Sequence, residues 1–203
     1  MKIKIIFPFI IGLILTTHVH AQLDSLQQEL KVATSDSTIA RLLLAIGEQH
    51  SNQDSSMIYW KKGLSIVKTM EWKKGEARIY ESMGLSHYRT TQLDSAIYFW
   101  KVAIDLYTAD TLQNKSIESR SKLARINYNI TIPNFHLGNY LEAIYHTKTA
   151  LEIYLKLENQ ARVVACYNFI SLLNFEQDNF VEAEKYAHKS VNLAMEMQDS
   201  TSI

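Results

Sequence analysis

The sequence predicts an all-α protein, an array of antiparallel helix pairs, and three observations predict it. The 203 residues include only 2 Pro and 6 Gly, with 47% hydrophobic and 21% charged, a globular balance that favours helix over sheet, turn-rich or disordered chain. Four blocks align without gaps: "DSSMIYWKKGLSIV" from Asp54, "DSAIYFWKVAIDLY" from Asp94, "LEAIYHTKTALEIY" from Leu141 and "VEAEKYAHKSVNLA" from Val181. In each, the third and tenth residues are small, and they lie two helical turns apart on one stripe, where a neighbouring helix can approach closely. A second helix-period segment precedes each block, separated from it by turn residues.

Residues 1–21 have the pattern of a secretory leader: Lys2 and Lys4, an apolar run from Ile5 to Leu15, polar Thr16 to His20, and small Ala21 at the cleavage point. The mature chain would begin at Gln22 and act in the periplasm or outside the cell. An uncleaved membrane anchor is the rival, but the apolar run is shorter than the roughly 20 residues that span a bilayer. No later segment is apolar enough to span, and no Cys follows the run to take a lipid.

Residues 22–37 form a lead-in segment or short helix. The repeat region covers 38–198, in units of about 38–72, 73–112, 113–159 and 160–198, and 199–203 begin a fifth repeat. The small pairs are Ser56 and Gly63, Ala96 and Ala103, Ala143 and Ala150, and Ala183 and Ser190; the first member of each pair recurs at separations of 40, 47 and 40 residues. The preceding helix of the second unit places Ala77, Tyr80, Met83, Gly84 and His87 on one face. The positions equivalent to Gly84 are assigned to Ala45, Thr131 and Ser171, so that only the second unit keeps a glycine in its first helix. Turn signals lie at Ser51, Thr90, Leu137 and Gln177, and Asn139 with Glu142, like Asn179 with Glu182, has capping-box spacing. The seven additional residues of the long interval fall within "TADTLQNKSIESR" from Thr108, as a longer loop or extra helical turns. Pro133, inside a first helix, should kink or end it.

Lys plus Arg equals Asp plus Glu at 21 each, and loss of Lys2 and Lys4 would leave a slight negative excess, so a nucleic-acid footprint is excluded. Cys166 is the single cysteine, so no internal disulfide forms; it sits among Val163, Val164, Ala165, Tyr167 and Phe169 as a small apolar helix residue. The histidines beyond the leader, His50, His87, His136, His146 and His188, share no i, i+4 face and complete no metal-ligand spacing. Phosphate loops and nucleophile elbows are missing, and Ser86 beside His87 is adjacency rather than catalytic geometry. The sequence therefore points to a non-enzyme with no metal and no cofactor.

With the small-residue set in place, together with "MGLSHY" at Met83 and "LGNYLEAIYHTKTALEIY" at Leu137, the chain resembles tetratricopeptide repeat (TPR) proteins over about residues 38–198. The resemblance implies a right-handed superhelical solenoid whose first helices line a concave groove for extended or helical segments of a protein or peptide partner. Helical spacing maps that face to Arg78, Glu81, Ser82, Leu85, Tyr88 and Arg89 in the second unit, Arg125, Tyr128, Asn129, Ile132 and Phe135 in the third, and Asn168, Phe169, Leu172 and Phe175 in the fourth. Aromatics flanked by Arg and Asn suit a partly apolar peptide; packing of several of these rings within the array is the competing assignment. Family members that grip a terminal carboxylate use Lys, Arg and Asn on successive first helices. Here Arg125 and Asn129 match, but Glu81, Leu85, Ala165 and Phe169 stand at the other positions, which argues against such a clamp.

The expected function is a non-catalytic extracytoplasmic interaction module. The alternative is the N-terminal sensor region of a membrane-bound signalling protein, such as a histidine kinase or a DNA-binding regulator, since the array stops at "MQDSTSI" without a polar capping helix.

Overall fold

A computed structural model describes residues 21–50, 52–114 and 116–200. The leader pattern at residues 1–20 and the last three residues lie outside them. Among the described residues there are nine helices and no strand. They are α1 (21–32), α2 (Asp36–Gln49), α3 (Gln53–Thr69), α4 (Lys73–Arg89), α5 (Leu93–Asn114), α6 (Ile117–His136), α7 (Tyr140–Lys156), α8 (Gln160–Phe175) and α9 (Phe180–Ser200). The chain divides into two compact units, up to Ser82 and from Met83 onward.

In the first unit, α2 starts where the Ser35 hydroxyl accepts from the Thr38 N–H, and α3 where the Asn52 side chain accepts from the Ser55 N–H at 3.0 Å. Such caps satisfy N–H groups that have no partner within the helix. The two helices pair around Leu43, Leu44, Ile46, Trp60 and Val67, all buried. The Trp60 indole lies against Gly47, where a Cβ would overlap the ring, and its Nε1 donates to the Leu44 carbonyl at 3.2 Å. This corrects the expectation for the first repeat. The close approach is at Gly47, and Ala45 is only half-buried, so α2 as well as α4 carries a glycine at a tryptophan.

In the second unit, successive helices pack in order, α5 on α6, α6 on α7, α7 on α8 and α8 on α9. The stripes of small and large residues are the seams. Ala96, Trp100, Ala103 and Tyr107 are fully buried on α5, and Ala143, Thr147, Ala150 and Tyr154 on α7. Thr131 and Thr147, one from each helix of a pair, share a hydroxyl hydrogen bond at 2.9 Å, and Thr131 also donates to the Asn127 carbonyl. The equivalent Ser171 donates to the Ala183 carbonyl at 2.7 Å, and Ser190 to the Val164 carbonyl at 3.3 Å, so the small polar positions tie paired helices through backbone oxygens. Replacing Ala143 with Leu should destabilise by about 1–3 kcal/mol through overpacking; an unchanged urea midpoint would show that this position is not a seam.

The reversals share one cause. At Glu71, Thr91, Gly138, Glu158 and Asp178 the backbone is left-handed, with φ of 53°, 60°, 73°, 54° and 57°. The next residue's N–H reaches back five residues to a helix carbonyl, as in Trp72 to Val67, Asn139 to Asn134 and Asn179 to Asn174. This is a Schellman termination, which satisfies the last carbonyls and turns the chain sharply. Asn139 and Asn179 take part in it differently from the capping-box expectation. The Asn139 side chain makes no cap hydrogen bond; it donates to Asn134 Oδ1 at 3.5 Å, and Asn179 does the same to Asn174 Oδ1 at 3.2 Å. Asn134 and Asn174 in turn donate to the carbonyls of Ile130 and Ile170, both at 2.8 Å.

The long interval is taken up by helix rather than loop. Helix α5 has 22 residues and α6 has 20, against 17 for α3 and for α7. Pro133 is buried within α6, which continues to His136 before it reverses. A proline near the last turn removes one N–H donor while leaving the terminal carbonyls free to bond the reversal.

Candidate functional site

Helix periodicity carries the chemistry of the second unit onto two neighbouring surfaces. The first lies along α6 and α8. Positions three and four apart bring Tyr128, Asn129, Ile132 and Phe135 onto one side of α6, all partly buried, with exposed Arg125 at its start. Phe169 of α8 meets this side: its ring lies 5.9 Å from Phe135 and 6.2 Å from Tyr128, both edge-on, the geometry that aromatic quadrupoles favour. Phe135 also touches Tyr140 at 5.8 Å. Burial pushes the Tyr128 phenol above its ordinary value of 10.0, and so does the neighbouring Cys166, while Arg162 works the other way. These rings therefore pack on one another and remain partly exposed.

The second surface is a concavity of about 570 Å³ lined by Asn168, Ser171, Leu172 and Phe175 from α8 and by Phe180, Ala183, Glu184 and Ala187 from α9. Phe175 and Phe180, 57% and 55% exposed, touch at 5.5 Å and form one end of it. Asn168, Leu172 and Phe175, mapped from sequence to the groove face, are thus gathered with α9 side chains. Phe180, Glu184 and Ala187 were missed. The signal for them was the 40-residue offset to Tyr140, Ile144 and Thr147 on α7.

The remaining mapped residues differ in exposure. In the first unit Arg78 is half-buried, Glu81 is buried, and the Ser82 hydroxyl donates to Glu48 Oε1 at 2.8 Å. In the second unit Leu85 and Arg89 are exposed, whereas Tyr88 is half-buried with its ring 5.8 Å from Trp100.

Between α6 and α7 lies a buried polar contact. His146 Nδ1 is 2.8 Å from Asn127 Oδ1, and Asn127 Nδ2 donates to the Leu123 carbonyl at 2.9 Å. With Nδ1–H as the donor, the neutral imidazole suits this pocket. Burial lowers the His146 pKa below 6.5, against the upward pull of Glu142 and with a smaller downward push from Lys101. The unfolded chain therefore takes up this proton before the folded one does. Stability due to His146 is intact above pH 6.5 and is lost as pH falls through the folded pKa. His146→Gln should flatten the fall in melting temperature as the pH drops below 6.5, relative to the parent; parallel curves would show that His146 does not titrate differently on folding.

Cys166 is fully buried in a cluster with Ala124, Ala150, Leu151, Tyr154, Val163 and Ile170. Burial pushes its thiol up to about 12, opposed by Arg162. Reaction with a thiol reagent should be negligible in the folded protein and complete in denaturant; rapid labelling in native buffer would contradict the packing. Among the described residues no His, Cys, Asp and Glu side chains gather in a group of three or more able to hold a metal. Among them, too, no helix is long and apolar enough to cross a membrane.

No protein-family model matches the chain, and no curated protein matches it. Solved structures do. BtubC (BKLC) from P. vanneervenii aligns with a TM-score of 0.75 at 11% identity, covering 89% of this chain and 75% of that one. A Podosopora anserina protein with nearly identical TPR-like repeats aligns at 0.65 and 13% identity, covering 91% and 90%. A Rap protein complexed with Competence and Sporulation Factor aligns at 0.65 and 17% identity, covering 91% of this chain and 51% of that one. At such identities the likeness shows the fold alone, and that fold is an all-α, TPR-like repeat of antiparallel helix pairs.

Proposed function

We propose that the chain is a non-catalytic interaction module that holds an extended or helical segment of a protein partner along the ring-lined side of α6 and α8, outside the cytoplasm. The observation that carries this reading is the contact of Phe169 with both Tyr128 and Phe135, with Arg125 exposed at the start of α6. Rigid rings that are already packed offer contact area at little further entropic cost, and Arg supplies a charged anchor. A similarly folded Rap protein occurs in complex with a factor, which is consistent with this use of the fold. The leader pattern of residues 1–21 supports the compartment.

The test is selection of binding peptides from a displayed random library on the purified protein, followed by hydrogen exchange and variant binding. Peptides should protect α6 and α8, and Tyr128→Ala or Phe169→Ala should weaken them by about tenfold or more. Selected peptides that leave α6 unprotected and ignore both substitutions would overturn the assignment of the surface. Recovery of the native product from the cytoplasmic fraction with Met1 retained would overturn the compartment.

A further inference from the structure

Charge is distributed unevenly along the ring-lined side of α6 and α8. From Leu123 to Phe135 on α6 the only charged side chain is Arg125, and over all of α8 the only one is Arg162. Both are exposed. Each lies two helical turns before an apolar residue on its own face of the helix, Ile132 on α6 and Phe169 on α8. The two arginines also border one packed group. Ala124, next to Arg125, and Val163, next to Arg162, belong to a buried cluster with Tyr154, and Tyr128 packs against it. Burial pushes the Tyr154 phenol above its ordinary value of 10.0, while Arg162 and Arg125 both act in the opposite direction, so both guanidinium groups lie near this one ring. Two helices thus bring positive charge to one end of a surface that is otherwise neutral.

That distribution selects among segments that could lie there. A guanidinium pair at one end favours opposite charge on whatever docks, and a basic segment would be repelled. Planar guanidinium groups match a carboxylate through paired hydrogen bonds. The arrangement differs from a terminal-carboxylate clamp, because Ala165 and Phe169 stand at the clamp positions of α8 and Arg162 lies one turn before the first of them. Two turns of helix rise about 10 Å. An extended chain covers that distance in about three residues, and a helical one in two turns of its own.

Resting on the reading of the ring surface given above, we infer that its partner segment is acidic. An internal Asp or Glu side chain pairs with Arg125 and Arg162, and an apolar side chain about 10 Å further along lies on Ile132 and Phe169.

The experiment selects random linear peptides on the purified protein at low salt and carries the tightest into variant binding. They should be enriched in Asp or Glu, set about three residues from an aromatic or aliphatic residue in an extended binder or about seven in a helical one. Changing that acid to its amide should weaken binding roughly two- to fivefold, and Arg162→Gln by a similar factor, as for a partly exposed ion pair. The acid should matter less in the Arg162→Gln protein than in the parent, the coupling that a direct contact produces. Amidating the peptide's C-terminus should change nothing. Circular dichroism of each variant must match the parent, and Arg125→Gln serves as the second variant if Arg162→Gln does not fold. Neutral or basic peptides that need Phe169, and bind Arg162→Gln as tightly as the parent, would overturn the acidic partner while leaving the ring surface in place. Peptides that ignore Phe169→Ala would overturn both. Loss of binding on amidation would overturn the internal acid in favour of a terminal carboxylate.

Discussion

Trp100→Ala is expected to lower the free energy of unfolding by about 3–5 kcal/mol, as for other fully buried aromatic side chains cut back to a methyl group. The ring is 1% exposed and sits in the seam between Ala96 and Ala103, with Tyr88 at 5.8 Å and Gly84 beneath it. Collapse around the gap is restricted on the seam side, because Gly84, Ala96 and Ala103 are small and cannot swing in. Urea denaturation measures the change directly. A loss below about 1 kcal/mol would mean that the indole contributes little packing, contrary to its burial.

Gly84 gives the second large effect, and its sign should depend on Trp100. A Cβ at Gly84 would lie 2.5 Å from Trp100 Cδ1 and 2.6 Å from Nε1, closer than real contacts allow, and a fully buried ring has no room to move away. Gly84→Val in the parent should therefore cost about 3 kcal/mol, at the upper end for overpacking. Gly84→Ala should also destabilise the parent, because the clash begins at the first carbon. In the Trp100→Ala background the clash is gone, and Gly84→Ala should then stabilise by about 0.5–1 kcal/mol, the ordinary gain of Ala over Gly within a helix. A double-mutant cycle measures this coupling. If Gly84→Ala acts equally in both backgrounds, the glycine is there for a reason other than the ring.

Sequence reasoning reached the pairing of helices because two small residues seven apart, on a helix otherwise filled with Tyr, Trp and Leu, mark the place where a second helix crosses closely. It placed Ala96, Ala103, Ala143 and Ala150 on seams where all are fully buried. It missed Gly47, because Ala45, a small residue two positions earlier on α2, was taken as the equivalent of Gly84, and only the position of the indole reveals the shift. A search for the glycine opposite each tryptophan would have found it. The Asn127–His146 contact left no trace in the sequence, since nothing marks two polar residues 19 apart on different helices as partners. The capping-box assignment at Asn139 failed for a related reason. The spacing was correct, but Asn134 lay within reach and took the side chain.

By itself the sequence determined the all-α class, the repeat period and the seam residues, because these follow from helical periodicity and side-chain size. Tertiary structure decided where the seven additional residues went, since a longer loop and a longer helix satisfy the same local rules and only packing selects between them. It also decided which groove positions are open. Glu81 and Ser82 are drawn into their own unit, the rings of Tyr128, Phe135 and Phe169 lean on one another, and Leu172 and Phe175 turn with α9 toward the end face. Exposure is a property of neighbours, and neighbours on other helices are what periodicity along one helix cannot specify.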